Sequence, residues 1–149
     1  MKIYFDLCVY NRPFDDQKQS RIAIETLEFI FLLSKAEKEE ISIINSFALE
    51  DENNQNPFID RKDIISDLLK VAEIYIDYDK DLEKRAKDIE KLGIMGIDAL
   101  HIACAEKAKS DFFVTCDDTL IKKCRAARQV IKLKVKPLLK FVAEEVFKQ

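Results

Sequence analysis

Acidic residues stand at Asp6, Glu52 (with Glu50 as a rival), Asp98, Asp117 and Asp118, each on a different stretch of sequence except the last pair. Asp98 lies in Ile94–Ala105, IMGIDALHIACA, a run otherwise apolar or small that also holds the chain's one histidine, His101. A buried, unpaired carboxylate is costly, and such a group is protonated, paired or bound to a cation. Several carboxylates in one pocket repel each other and call for a cation. Donors that are all oxygen favour Mg²⁺ or Mn²⁺ over zinc. A cluster of this kind suits metal-assisted phosphodiester cleavage, in which one cation polarises the phosphate and acidifies the attacking water. Each acid also has an ordinary structural reading. Asp98 could cap its helix, Asp117 or Asp118 could cap the next one, and Asp6 could be a strand-end turn residue. Spacing alone leaves both readings open. His101, one turn after Asp98, could contact substrate or orient a carboxylate; in a helix so rich in alanine it reads instead as a packed, hydrogen-bonded side chain.

These acids need elements to carry them. Lys2–Asp6 alternates Ile3 and Phe5 with polar neighbours and predicts a strand. Asn11–Asp16 has turn chemistry. Gln19–Lys38 repeats apolar residues at three and four and predicts a helix, with Ser20 as its cap. Its FIFLL run makes the second half apolar nearly all round, so the core and a second subunit are both candidates to bury it. Further strands are predicted at Ile41–Asn45, Glu73–Ile76, Asp111–Thr115 and Val130–Val135. Further helices are predicted at about 60–71, 79–92, 97–108 and 117–125, with a terminal helix over 137–149 and an irregular or briefly helical segment after Ile41–Asn45. Gly93 stands where a left-handed helix stop is expected. Strands alternating with helices argue for one α/β domain over 1–149, with helices on both sides of a mostly parallel sheet of four to five strands. In such a sheet ligands bind beyond the carboxyl ends of the strands, which is where these acids fall.

Composition narrows the function classes. The chain has 149 residues, enough for one domain with its own core. With only two glycines, Gly93 and Gly96, it has no phosphate-cradling glycine loop. The cysteines Cys8, Cys104, Cys116 and Cys124 form no CxxC pair and read as reduced, buried thiols. No apolar run is long enough to span a bilayer, the N-terminus lacks a cleavable signal pattern, and the expected location is the cytoplasm. The net charge is −3, yet no acid occurs from Thr119 to Ala143, where Lys122, Lys123, Arg125, Arg128, Lys132, Lys134, Lys136 and Lys140 lie. That basic section is a candidate phosphate-backbone surface, or simply a solvated face.

The combination of KIYFDLCVYNRPFDD at the start, GIDALHIACA, and FFVTCDDTLIKKC resembles the PIN-domain family of metal-dependent ribonucleases, over Lys2 to about Lys134. That family includes the toxins of many toxin–antitoxin pairs. The resemblance implies a three-layer α/β/α fold, Mg²⁺ or Mn²⁺ as cofactor, RNA as substrate and an antitoxin protein as partner. Matched residue by residue, it places metal-holding and catalytic acids at Asp6, Glu52, Asp98 and Asp117. Asp118 would be an added ligand or a helix start, and Thr115 a nearby hydroxyl on the substrate side. Lys122, Lys123 and Arg125, with Arg12 and Arg21 from the first loop and helix, are the phosphate-binding candidates. The chain departs from the family pattern at Leu7-Cys8, where a small polar residue commonly follows the first aspartate. That departure, with the basic section, motivates an alternative: a non-catalytic nucleic-acid-binding or regulatory module of the same fold. The apolar helix Ala23–Leu33 motivates a homodimer or partner complex.

Overall fold

The computed structural model describes residues 1–147. Five strands, β1 (Lys2–Phe5), β2 (Ser42–Ser46), β3 (Ile74–Ile76), β4 (Phe112–Thr115) and β5 (Val135–Pro137), form one all-parallel sheet in the order β3-β2-β1-β4-β5. The chain steps outward from β1 to β2 and β3, then returns past β1 to β4 and β5. The direction of winding therefore reverses at β1, and the crevice beyond its carboxyl end lies between the segments that follow β1 and β4. Residues of β1 and β4 are buried on both faces, as a central parallel strand requires.

Among the described residues seven α-helices connect the strands and an eighth follows β5: α1 (Leu7–Asn11), α2 (Ser20–Glu37), α3 (Phe47–Asn54), α4 (Ile59–Leu69), α5 (Lys80–Glu90), α6 (Ile97–Lys107), α7 (Asp118–Ala126) and α8 (Leu138–Phe141). Helices and sheet form the three-layer α/β/α arrangement expected from the sequence. α6 packs against α5, α3 and β2, and α8 packs against α2 and β4. Ala99, Ala103 and Ala105 of α6 are buried, so small side chains let this helix approach its neighbours closely. Tyr4 stacks on Phe113 across β1 and β4, while Phe5, Tyr10 and Phe29 form an edge-to-face cluster between β1, α1 and α2.

Several local expectations shift. Within Asn11–Asp16, Asn11 ends α1 and Arg12–Phe14 forms a 3₁₀ turn, so the stretch is not turn throughout. The irregular stretch after β2 is α3, capped by Ser46, whose hydroxyl accepts the Leu49 N–H at 3.2 Å. The cap of α2 is Gln19, not Ser20. The fifth strand lies later than Val130–Val135, because Val130 and Ile131 donate to the Ala127 carbonyl and close the end of α7. Ile131 is buried by that turn, and its alternation with Leu133 mimics a strand. β5 ends at Pro137, which suits an edge strand. The terminal helix covers Leu138–Phe141 and continues as a π-helical turn, Val142–Val146. Residues 148 and 149 of the expected 137–149 helix lie outside the described residues. α2 buries Phe29 and Leu32, but Ile24, Leu27 (68% exposed) and Ile30 face outward, so none of the described residues covers its far side. Among the described residues no helix is long and apolar enough to cross a membrane.

Candidate metal centre

Asp6 follows β1 and caps α1, its Oδ1 accepting the Leu7 N–H at 2.8 Å. Its Oδ2 accepts the Thr115 hydroxyl at 2.7 Å. The Thr115 oxygen in turn accepts the Asp117 N–H at 3.1 Å, so one buried hydroxyl ties the ends of β1 and β4 together. Asp117 is the cap of α7; its Oδ1 accepts from Thr119 and Leu120 N–H at 3.0 and 3.1 Å, and the residue is exposed at the rim. Cap and strand-end positions thus hold two of the acids rigidly at the sheet's carboxyl edge.

Asp98 lies in the first turn of α6, half-buried. It is not the cap. That position belongs to Gly96, whose φ of +58° is unfavourable for residues with a Cβ. Burial pushes the Asp98 carboxyl up to about 6, and the negative charges of Asp6, Asp117 and Glu52 add to the shift while His101 opposes it. Three carboxylates therefore act on Asp98, and their oxygen donors together with its own fit a hard divalent cation.

Glu52 comes from α3, 34% exposed, and its Oε1 meets His101 Nε2 at 2.8 Å. Asp6, Glu52 and His101 each offer a ligand atom, and these atoms lie within 4.8 Å of one another. Glu50 turns elsewhere, accepting from Asn45 Nδ2 at 3.3 Å and from the Tyr75 hydroxyl at 3.0 Å. Of the two rival glutamates, only Glu52 is brought to Asp6. His101 is fully buried, and its Nδ1 meets the Tyr4 hydroxyl at 2.7 Å; that hydroxyl meets Ser46 Oγ at 2.6 Å. The packed, hydrogen-bonded histidine expected from the sequence is what stands here, but its second nitrogen faces the site. The available signal was the i, i+3 relation to Asp98. Tyr4 and Ser46 carried no signal of their own, being core-strand and strand-end residues.

Other candidates lie apart from this cluster. Asp118 forms a two-pronged pair with Arg21, at 2.7 and 3.0 Å, and the guanidinium holds its carboxyl below the ordinary value. Arg21 also donates to Glu25 at 3.3 Å and to the Cys116 carbonyl at 3.1 Å. Arg12 donates to Glu25 at 2.8 Å and to Asp15 at 2.8 Å. Both arginines thus have internal partners that a phosphate would have to displace. Thr115 is buried with its hydroxyl on Asp6, so it fixes that carboxylate rather than lining the rim. Lys122, Lys123 and Arg125 are exposed on α7, the helix that Asp117 caps. At the departure Leu7-Cys8, Leu7 is buried, while the Cys8 thiol lies 3.5 Å from Asp6 Oδ2 and 3.3 Å from Thr115 Oγ1. A hydrogen bond with Cys116 and burial raise the Cys8 thiol well above its ordinary value, so it stays neutral beside Asp6.

The family model for the PIN domain matches residues 3–126. None of the curated proteins matches this chain. Among solved structures, the crystal structure of VapBC2 from Rickettsia felis bound to a DNA fragment from their promoter is similar, with a TM-score of 0.54 and 13% sequence identity. The similarity covers 92% of this chain and 98% of that one. At this identity the likeness is one of fold.

Proposed function

The chain belongs to the PIN-domain family, and we propose that it is a Mg²⁺- or Mn²⁺-dependent endoribonuclease, the toxin of a toxin–antitoxin pair. The observation that carries this reading is the convergence of Asp6, Glu52 and His101, whose ligand atoms lie within 4.8 Å of one another, beside an Asp98 carboxyl raised to about 6 by burial and by the charges of Asp6, Asp117 and Glu52. Asp6, Glu52, Asp98 and Asp117 would hold the cation, which when bound neutralises charge at a phosphodiester and acidifies the attacking water. Asp6, fixed by Leu7 N–H and Thr115, and Asp117, fixed by the start of α7, keep their carboxylates in place without rearrangement. Lys122, Lys123 and Arg125 on α7 would draw the RNA backbone toward the rim.

Cleavage of a pool of structured RNAs with Mg²⁺ or Mn²⁺ tests the reading. We expect cleavage by the wild type and none by Asp98→Asn, with both variants folded by circular dichroism. Equal cleavage by the mutant would sink the assignment. The alternative, a non-catalytic nucleic-acid-binding or regulatory module, gains support from the Cys8 thiol against Asp6, and predicts RNA binding with no cleavage under either metal.

The outward apolar residues Ile24, Leu27 and Ile30 of α2, with Ile30 sharing a cleft with Val71 just beyond α4, support a protein partner. We assign that face to a second copy of the chain or to the antitoxin. Light scattering on the chain alone separates the two: a dimer mass favours self-association, and a monomer mass favours the antitoxin.

A further inference from the structure

We propose that His101 is a positioning residue of the metal centre: its Nε2–H fixes the Glu52 carboxylate toward Asp6, and Tyr4 with Ser46 fixes the imidazole. The proposal rests on the metal-centre reading above. A carboxylate only accepts hydrogen bonds, so the 2.8 Å contact to Glu52 Oε1 requires a proton on Nε2. In the neutral ring Nδ1 is then an acceptor, and Tyr4 must donate to it across 2.7 Å. The Tyr4 oxygen accepts in turn from Ser46 Oγ at 2.6 Å, while Ser46 accepts the Leu49 N–H of α3 at 3.2 Å. The chain of bonds leaves the start of α3, crosses β1 and α6, and returns to Glu52 on α3. Tyr4, Ser46 and His101 are each fully buried, so water does not compete at these three links.

The arrangement answers a physical need. Glu52 is a long, partly exposed side chain on the short helix α3, facing the like charge of Asp6. Left alone it would turn toward solvent, away from that repulsion. A buried N–H on one oxygen holds the carboxylate in place and leaves its other oxygen for a cation. Groups that orient metal ligands in this way change metal affinity or activity by about 10- to 100-fold when lost.

Two near-isosteric substitutions separate the roles. His101→Gln keeps an amide N–H near Nε2. His101→Asn keeps an oxygen near Nδ1 for Tyr4 but loses the donor to Glu52. Mn²⁺ affinity, measured by calorimetry alongside thermal melts, should fall about 10- to 100-fold in His101→Asn and largely recover in His101→Gln. On a Glu52→Gln background, His101→Asn should change the affinity no further, because the two residues act as one unit. Unchanged affinity in His101→Asn would overturn the proposal, as would an undiminished loss on the Glu52→Gln background. Because the chain has one histidine, the ¹⁵N spectrum of its ring reports on His101 alone. It should show a proton on Nε2 and a bare Nδ1, both with and without saturating Mg²⁺. A proton on Nδ1 with a bare Nε2, or Nε2 bound to the cation, would overturn the assignment even if no variant folds. A wild type that binds no Mn²⁺ would instead overturn the metal-centre reading itself, and this proposal with it.

Discussion

Asp98 is half-buried among three other carboxylates, and its own carboxyl is raised to about 6 from an ordinary 3.8. The folded value lies above the unfolded one, so ionising Asp98 costs the folded chain more than the unfolded chain. The penalty is absent well below pH 4, grows as the pH rises toward 6, and is complete above that. Asp98→Asn removes it. The metal-free variant should therefore be more stable than wild type near pH 7.5, by on the order of 1–3 kcal/mol. That advantage should shrink to nothing as the pH falls through the same window. Urea unfolding at several pH values, in chelator, measures it. Saturating Mn²⁺ should reverse the order by stabilising only the wild type. A variant less stable than wild type in chelator at pH 7.5 would mean that Asp98 supports the fold rather than straining it. The same shift predicts metal affinity that rises with pH through about 6, since the cation competes with a proton.

The acids are held by elements that are themselves tied together by charge. Glu25 of α2 is 1% exposed and joins Arg12, beyond α1, to Arg21, which continues to Asp118 and the Cys116 carbonyl at the head of α7. This network fastens α2 to the β4–α7 turn that carries Asp117. Removing one partner leaves part-buried charge without its counterpart, at about 3–5 kcal/mol for a fully buried pair. Arg21 is half exposed, so Glu25→Ala should cost nearer 2–3 kcal/mol in urea unfolding at pH 7. A cost below about 0.5 kcal/mol would place the network among surface pairs of little consequence. Arg21 and Glu25 have the four-residue spacing of a helix face, but the links of Arg21 to Asp118 and of Arg12 to Glu25 were not legible, because those residues are far apart along the chain. The first four strands were legible through their β-branched and aromatic runs, the fifth was expected too early, and α5 and α7 were legible through apolar spacing and caps at Asp79 and Asp117. α1 was not: at five residues, with Leu7, Val9 and Tyr10 buried, it is too short to show a helical period. Glu52 could be preferred to Glu50 only through the resemblance, since two positions apart on a helix they face different ways. The structure supplies the reason for that preference in the contact with His101.

Taken whole, the chain carries a net charge of −3, which opposes a polyanion, and acids at the rim that would repel phosphate unless a cation offset them. Lys122, Lys123 and Arg125 offset this locally, exposed on α7 immediately after the cap Asp117. Under the proposed function their placement would put attraction and chemistry on adjacent parts of one element. If they contact phosphates, each contact releases condensed counterions, and the slope of log K against log salt is about −0.7 per contact for a single strand. Replacing all three by alanine should make the slope shallower by up to about 2, and weaken binding nearly alike for different RNA sequences. The cation affinity of the four carboxylates should not fall, because no positive side chain is removed from a ligand. RNA binding by fluorescence anisotropy at several salt concentrations, in Mg²⁺ with Asp98→Asn to prevent cleavage, measures the slope directly. An unchanged slope would make α7 a solvated face. The backbone contacts would then have to come from elsewhere on the rim, with Arg12 and Arg21 exchanging Glu25 and Asp118 for phosphate.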